Sequence, residues 1–425
     1  MTSDPLAADP DLSAFTNFEK SGFLPLKDAG SRYQRFSRFI GSFARRCDKP
    51  TIIIAGTNGK GSTATYLCHL LIQGGYKTGC FLSPHIHTVR ERITINNQLI
   101  PKSRFSAYQA VVLEAWGKSK FPITYFELLT AMAKAFFDDS GTDVDIFEAG
   151  LGGRFDAVNT MPGPRVSVLT SIGFDHTHVL GSTIEDIFYE KAMIRRPGPV
   201  LLGFQPYLST RFLSVFLRKH RCHIFGTHYH MQRQGPHLRV FGGGQDQSIT
   251  VPDMPLFQCY NLCLALRTAY ALHGRAIHMR QPPQWTTCAC RFEQVASPLH
   301  PKQTFLFDGA HNPDALAMLQ QAVAQFQAER KIVIVFACMK DKDLPAMQAV
   351  LERFSAQVVI FTRMPEKRAY PFADATMSPP FAHRVAGSPA HAWSLLRCKE
   401  FAAGLVVVTG SFYLCGHMKR LLASV

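Results

Sequence analysis

A chain of 425 residues is too long for one ordinary core and points to two or three domains. With 46% hydrophobic and 18% charged residues, it reads as globular, and no apolar run approaches the roughly 20 residues a membrane helix needs. The net charge of +15 is spread along the chain, with no lysine/arginine block interleaved with aromatics, so it serves small anionic substrates as well as it would nucleic acid.

Met1–Leu12 is acidic and polar, without the basic stretch and apolar core of a secretory signal. Ser31–Phe43, rich in arginine and aromatics, is expected to be a helix. Thr51-Ile-Ile-Ile-Ala55 reads as a buried parallel strand. It runs into Gly56-Thr57-Asn58-Gly59-Lys60-Gly61-Ser62-Thr63, and Ala64–Ile72 then reads as a helix. Strand, glycine-rich turn and helix start together make an anion cradle, in which successive backbone N–H groups and the helix dipole favour phosphate. Glycine admits the phosphate without a Cβ in its way. Lys60 is expected to reach the outer phosphates and the Ser62 hydroxyl to ligate Mg²⁺, in a shortened variant of the P-loop. A tight turn that binds nothing is the alternative.

Lys77–Leu82 is expected to be a second strand, joined to the first by a right-handed crossover and paired in parallel with it. Ser83-Pro-His85, Arg90-Glu-Arg-Ile93 and a hairpin-like Ile95–Ile100 follow. Thr124-Tyr125-Phe126-Glu127 opens an apolar helix running to Asp138. Val144–Glu148 reads as a strand ending in a carboxylate. Ligands of doubly wound sheets lie outside the carboxyl ends of the strands, so Glu148 falls where a metal-bound phosphate would be. Its alternative is an ordinary loop carboxylate. Gly150–Asp156 is a charged loop containing Arg154. Arg165–Ser171 is another buried strand, ending near Asp175-His176, and a helix over Thr183–Ile194 carries Lys191. Taken singly, His176 and Lys191 would be ordinary surface residues.

Residues 199–250 hold weakly patterned strands. The histidines at 220, 223, 228 and 230 lack a matching second ligand group and read as a polar loop or hairpin. Phe257–Leu272, with Asn261 inside, reads as a helix, and Met279–Gln284 as an interdomain linker. Beyond it the alternation restarts with strands at Thr304–Phe307, Lys331–Phe336, Gln357–Thr362 and Leu405–Thr409, and helices over Asp314–Glu329 and Ala390–Cys398. The first of these strands ends in Asp308-Gly-Ala-His311-Asn-Pro313, and the last runs into Gly410-Ser411. The eleven cysteines are scattered and the Cys288/Cys290 pair lacks metal-finger spacing, so reduced, mostly buried thiols in a cytoplasmic protein are expected.

Taken in order, these motifs resemble the Mur-ligase superfamily, and within it the dihydrofolate synthase/folylpolyglutamate synthase family. The resemblance is carried by Gly56–Ser62, Ser83–His85 with Glu91–Ile93, Thr124–Glu127, Glu148–Asp156, Gly173–His176, Glu190–Ala192, Asp308–Pro313 and Thr409–Ser411. It implies an α/β, Mur-ligase-like architecture: a P-loop parallel-sheet domain over residues 1–284 and a smaller Rossmann-like domain over 285–425. It also implies an ATP-dependent amide ligase that adds L-glutamate to dihydropteroate and to folates through an acyl phosphate. A monofunctional ligase and a nucleotide-binding relative without the chemistry are the alternatives.

Carried over position by position, the resemblance makes Ser62 and Glu148 ligands of one Mg²⁺, and Glu148, His176 and Lys191 the site of a second, with Lys191 carbamylated. Asn261, Arg291 and Asp308 join the P-loop residues in contacting ATP. Thr124–Glu127 and Arg154 fall where the family holds the pterin-bearing substrate, and His311 and Ser411 where it holds nucleotide or glutamate. The partners implied are these small molecules, with no nucleic acid or membrane, and a monomer suffices. At the domain junction, Cys288-Ala-Cys-Arg291 departs from the family's Trp-Pro-Gly-Arg-like segment, keeping the arginine without its turn.

Overall fold

β-Branched residues fill four of the five positions of Thr51–Ala55 (β1), and every position of the strand is buried. Ile53 and Ala55 face one apolar layer while Ile52 and Ile54 face the other, the two-sided burial that a central parallel strand requires. The computed structural model describes residues 11–21, 28–45, 48–117, 119, 121–163, 165–194, 197–217, 222–277, 289–298, 300–327, 331–373 and 379–424. The chain divides into two compact units. One takes Phe23–Gly173 and Thr177–Thr286 with the N-terminal residues up to Glu19; the other takes Thr287–Val425 with Phe174–His176 and Lys20–Gly22. The expected linker at Met279–Gln284, and the boundary after residue 284, lie outside the described residues.

The first unit is built on an eight-stranded sheet. Its strands are β1, β2 (Thr78–Phe81), β3 (Ile93–Ile95), β4 (Gln98–Leu99), β5 (Val144–Glu148), β6 (Arg165–Leu169), β7 (Val200–Leu202) and β8 (Cys222–Ile224). Their spatial order is β4-β3-β2-β5-β1-β6-β7-β8, parallel from β2 through β8. This corrects one expectation. β2 does not pair with β1, because β5 inserts between them and is hydrogen-bonded in parallel to both. Local spacing cannot reveal that insertion, since the inserted strand arrives some sixty residues later. The antiparallel edge follows from Asn96 and Asn97, whose φ values of 50° and 62° make the two-residue turn expected of a right-twisted hairpin.

Helices Tyr125–Ser140 and Lys60–Gln73 cover opposite faces of this sheet, the second packed with helix Leu256–His273. The weakly patterned region resolves into β7, a helix over Thr210–Leu217 that the sequence reading missed, β8, and a three-stranded antiparallel sheet. The latter comprises β9 (His230–Gln234), β10 (His237–Gly242) and β11 (Gln245–Thr250). His223 meets Arg267 at 2.8 Å, His228 accepts from the Ile224 amide at 3.2 Å, and His230 stacks on Phe241. The histidines therefore serve packing and turns; His220 lies outside the described residues.

The second unit holds β12 (Glu293–Ala296), β13 (Lys302–Phe307), β14 (Ile332–Phe336), β15 (Val358–Thr362), β16 (His383–Ala386) and β17 (Ala403–Thr409). They run β12-β13-β17-β14-β15-β16, parallel except for β12, which adds an antiparallel edge. Of the nine described cysteines, seven are buried and all are free thiols.

Candidate active site

The turn after β1 needs bare backbone at two points. A Cβ on Gly56 (φ +149°) would lie 1.8 Å from Thr170 Oγ1, and one on Gly59 (φ +87°) 2.2 Å from Asn261 Oδ1. The second clash places Asn261 of helix Leu256–His273 directly against the turn. The Thr57 and Asn58 amides do not aim at a common ligand point, as the cradle reading expected. Both donate to the Ser171 carbonyl, at 2.9 and 3.3 Å, fastening the turn to the end of β6. The N-cap Gly59 gives the first amides of helix Lys60–Gln73 no side-chain acceptor, and such a helix start favours an anion. Lys60 Nζ donates to the carbonyls of Gly56 and Thr57, both at 3.1 Å. Lys191 Nζ, buried, donates to the same Gly56 carbonyl at 3.0 Å. Two ammonium groups on one carbonyl oxygen make a focus of positive charge beside the helix start.

Glu148 closes β5 opposite Ile54 of β1, one residue before that strand ends. It is only 2% exposed, and its Oε2 accepts from the Ser83 amide at 2.9 Å. Among the described residues no basic side chain pairs with it. Glu148 is a buried carboxylate and Ser62, at the helix start, a buried hydroxyl, both oxygen donors of the kind a hard divalent cation takes. No three His, Cys, Asp or Glu side chains cluster as a metal cage among the described residues.

The loop after β5 is held by Asp156, which accepts from the amides of Gly150, Leu151 and Val158 at 2.9 to 3.0 Å. Burial pushes its carboxyl up to about 6 against those three hydrogen bonds. Arg154 on this loop reaches Glu190 at 3.4 Å and lies over the Phe155 ring.

In the second unit, Asp175 is the centre of a polar cluster. It contacts Lys342 at 2.5 Å, Asn312 at 3.3 Å and His311 at 3.4 Å, and its Oδ1 accepts from the His176 amide. Burial works to raise its carboxyl, but the His311 hydrogen bond and the Lys342 charge outweigh burial and hold it well below the usual range. Asp308 at the end of β13 accepts from the Phe292 and Ala310 amides and is pushed up to about 6 by burial. Arg291 lies between two left-handed non-glycine residues, Cys290 (φ 59°) and Phe292 (φ 58°), and stacks over Phe412. The altered junction thus keeps a defined turn: Glu293 accepts from the Cys290 amide and Asp308 from that of Phe292, both at 2.8 Å. Cys288 lies outside the described residues. Ser411 caps helix Phe412–Ala423 by accepting from the Tyr413 amide.

Residues 290–412 match the family described as Mur ligase, glutamate ligase domain. The dihydrofolate synthetase of Saccharomyces cerevisiae is 31% identical over 87% of this chain and 92% of its own length. The dihydrofolate synthase/folylpolyglutamate synthase of Bacillus subtilis is 30% identical, over 87% of this chain and 89% of its own. The chain belongs to the dihydrofolate synthase/folylpolyglutamate synthase family. A solved structure of the bifunctional folylpolyglutamate synthase/dihydrofolate synthase from Yersinia pestis, complexed with AMPPNP and Mn ion, superposes with a TM-score of 0.80. It is 26% identical and covers 92% of this chain and 93% of that one.

For this family member, several of the sequence-predicted site residues have defined partners within the chain. Thr124 and Glu127 satisfy each other: Glu127 Oε2 accepts from the Thr124 amide at 2.8 Å and its hydroxyl at 2.7 Å, in a reciprocal helix cap. The ring beside them, Phe126, packs where a Cβ on Gly150 would fall. Lys342 and Asn312 complete the Asp175 cluster; Asn312 lies in the Asp308–Pro313 motif, and nothing local to Lys342 names its partner.

Proposed function

We propose that the chain is bifunctional, joining L-glutamate to dihydropteroate and then to the glutamate tails of (tetrahydro)folates. It is an ATP-dependent amide ligase of its family. The observation that carries the reading is the meeting of Lys60 and Lys191 on the Gly56 carbonyl, with buried Glu148 one strand away. Negative charge spreads over the transferring phosphoryl oxygens, so fixed cations and first-turn amides there stabilise the transition state more than the ground state. The acceptor carboxylate attacks the γ-phosphorus, ADP leaves, and an acyl phosphate forms. The glutamate amine then adds to the acyl carbon, loses a proton, and displaces inorganic phosphate.

Ser62 and Glu148 would hold Mg²⁺, whose contribution is to neutralise phosphate charge. The family resemblance supports a second cation, with His176 as a ligand. We further propose that Lys191 is carbamylated, because the carbamate replaces one of two crowded ammonium groups by an anionic oxygen. An intact mass about 44 units heavier, one CO₂, with the gain lost on acidification, would support it. Asn261, Arg291 and Asp308 are the proposed nucleotide contacts, His311 and Ser411 the glutamate-side ones, and Tyr125, Phe126 and Arg154 those of the pterin-bearing acceptor. A cytoplasmic monomer acting on small molecules, apart from nucleic acid and membranes, suits the free thiols. No helix among the described residues is long and apolar enough to cross a membrane.

The test is phosphate release from MgATP and L-glutamate with dihydropteroate or tetrahydrofolate supplied separately. Release with both supports the bifunctional reading, and release with one restricts it to that branch. Nucleotide binding with no release in either case would overturn it in favour of another acceptor or an inactive relative.

A further inference from the structure

Arg92 is 1% exposed, and a guanidinium that deep must be neutralised and its donors satisfied. Glu19 does this from 73 positions away, in a two-pronged pair with Nη1–Oε1 at 2.8 Å and Nη2–Oε2 at 2.6 Å. The remaining nitrogen, Nε, donates to His85 Nδ1 at 2.9 Å. A guanidinium can only donate, so His85 Nδ1 must accept, which fixes the ring's tautomer and its orientation. The Arg92 carbonyl meanwhile accepts from the Leu82 amide at 3.0 Å. The neighbouring Glu91 accepts from the amides of Ile86, His87 and Thr88 at 2.8 to 3.0 Å. The loop from Leu82 to Thr88 is therefore gripped along its length by the Glu91-Arg92 dipeptide. Within that loop, Ser83 donates to Glu148 Oε2 at 2.9 Å.

The segment that supplies Glu19 is itself anchored. Leu12 enters the first unit's core, and the Thr16 carbonyl accepts from the Tyr125 amide at 3.1 Å. We propose that Glu19 is a positioning residue for the ligase reaction: by fixing Arg92 it fixes the Ser83–His85 loop, and through the Ser83 amide it sets the direction of the Glu148 carboxylate. The proposal rests on the reading of Glu148 as a divalent-cation ligand. Removing outer partners of a metal ligand typically changes affinity or activity by roughly 10–100-fold.

The experiment uses the full chain with Mn²⁺ and AMPPNP as probes, following free Mn²⁺ by electron paramagnetic resonance, with steady-state phosphate release beside it. Glu19→Gln is expected to weaken Mn²⁺ binding by roughly 10-fold or more and to lower kcat, with KM for L-glutamate unchanged. Because this variant leaves a buried cation short of its counter-charge, a second one separates positioning from folding. Glu19→Leu with Arg92→Met removes both charges, so the fold no longer carries an uncompensated ion, yet His85 still loses its donor. It is expected to bind Mn²⁺ as weakly as Glu19→Gln. Wild-type Mn²⁺ binding in the folded double variant would overturn the proposal. Glu148→Gln is the control. If it abolishes Mn²⁺ binding while both Glu19 variants retain it, the positioning role alone falls; if it too leaves binding intact, the reading of Glu148 falls, and this proposal with it.

Discussion

The two ends of the first unit's sheet bury charge in opposite ways. At the amino end of β1 and β5, Lys49 lies 2.8 Å from Asp145 and 3.2 Å from Asp138, and Lys134 lies 2.5 Å from Asp138. Thr142 completes the set, accepting from Lys49 and donating to Asp145, both at 2.6 Å. Two cations and two anions cancel within one closed network. At the carboxyl end, the lysines Lys60 and Lys191 share a backbone carbonyl, and Glu148 takes a backbone amide. The first set is an ion-pair network; in the second, backbone groups aim the lysines and the carboxylate. If the proposed site is right, the sheet is structural at one end and chemical at the other, and substitutions at the two ends should fail differently.

The largest effect is expected at the closed end. Lys49→Met leaves Asp145, whose carboxyl burial already pushes up, without its main counter-charge, and should cost about 3–5 kcal/mol in urea unfolding. Adding Asp145→Leu should recover most of that loss, since removing both charges of a buried pair is often neutral. Recovery failing in the double variant would mean that the network's shape, not its charge balance, is what matters. At the open end the sign of the comparison reverses. Lys60→Ala should lower kcat by roughly 10²–10³-fold or more while changing the urea midpoint little. A large loss of stability with turnover intact would break the division between the two ends.

Sequence alone showed the open end far better than the closed one. Gly56–Ser62 announces itself because the backbone conformation demands glycine at fixed spacing, and Glu148 because an apolar strand ends in a carboxylate. Lys49, Lys134, Asp138 and Asp145 carry no such local signature. Their meeting depends on β5 lying beside β1, which is a long-range pairing. The same reason hid Lys342, which joins Asp175 across 167 positions, and Glu19, which joins Arg92 across 73. The helix over Thr210–Leu217 was missed for a different reason: it is short and lies among basic and aromatic residues with little turn punctuation around it. Even where a motif was found, its use was not always legible. Thr57 and Asn58 lie in the glycine-rich turn, yet their amides bind Ser171.

A smaller, pH-dependent effect sharpens the contrast. Asp156, beside the open end, has its carboxyl raised from 3.8 to about 6 by burial. Between those values the native state holds more protons than the unfolded state, so stability should fall as pH rises through the window and level off above it. The size is on the order of 2–3 kcal/mol from this group. Asp308 in the second unit, also at about 6, adds a change of the same sign. Urea unfolding at several pH values between 4 and 7 measures it. Asp156→Asn should flatten part of the decline, and an unchanged slope in that variant would assign the effect elsewhere.

The smallest effect concerns a helix that reaches both ends. Tyr125–Ser140 begins with the Thr124/Glu127 cap and, in its last turns, supplies Lys134 and Asp138 to the closed network. Thr124→Ala should cost about 1 kcal/mol, the usual worth of such a cap. If capping is all that Thr124 does, KM for the pterin-bearing acceptor should move no more than a few-fold, and Thr124→Ser should restore stability and kinetics together. If the hydroxyl also touches the acceptor, KM should rise well beyond the stability loss. The division would then fail at this residue, because a group that closes the fold would also face the substrate. The side chain's geometry favours the first outcome: its hydroxyl both donates to Glu127 Oε2 at 2.7 Å and accepts from the Glu127 amide at 3.3 Å.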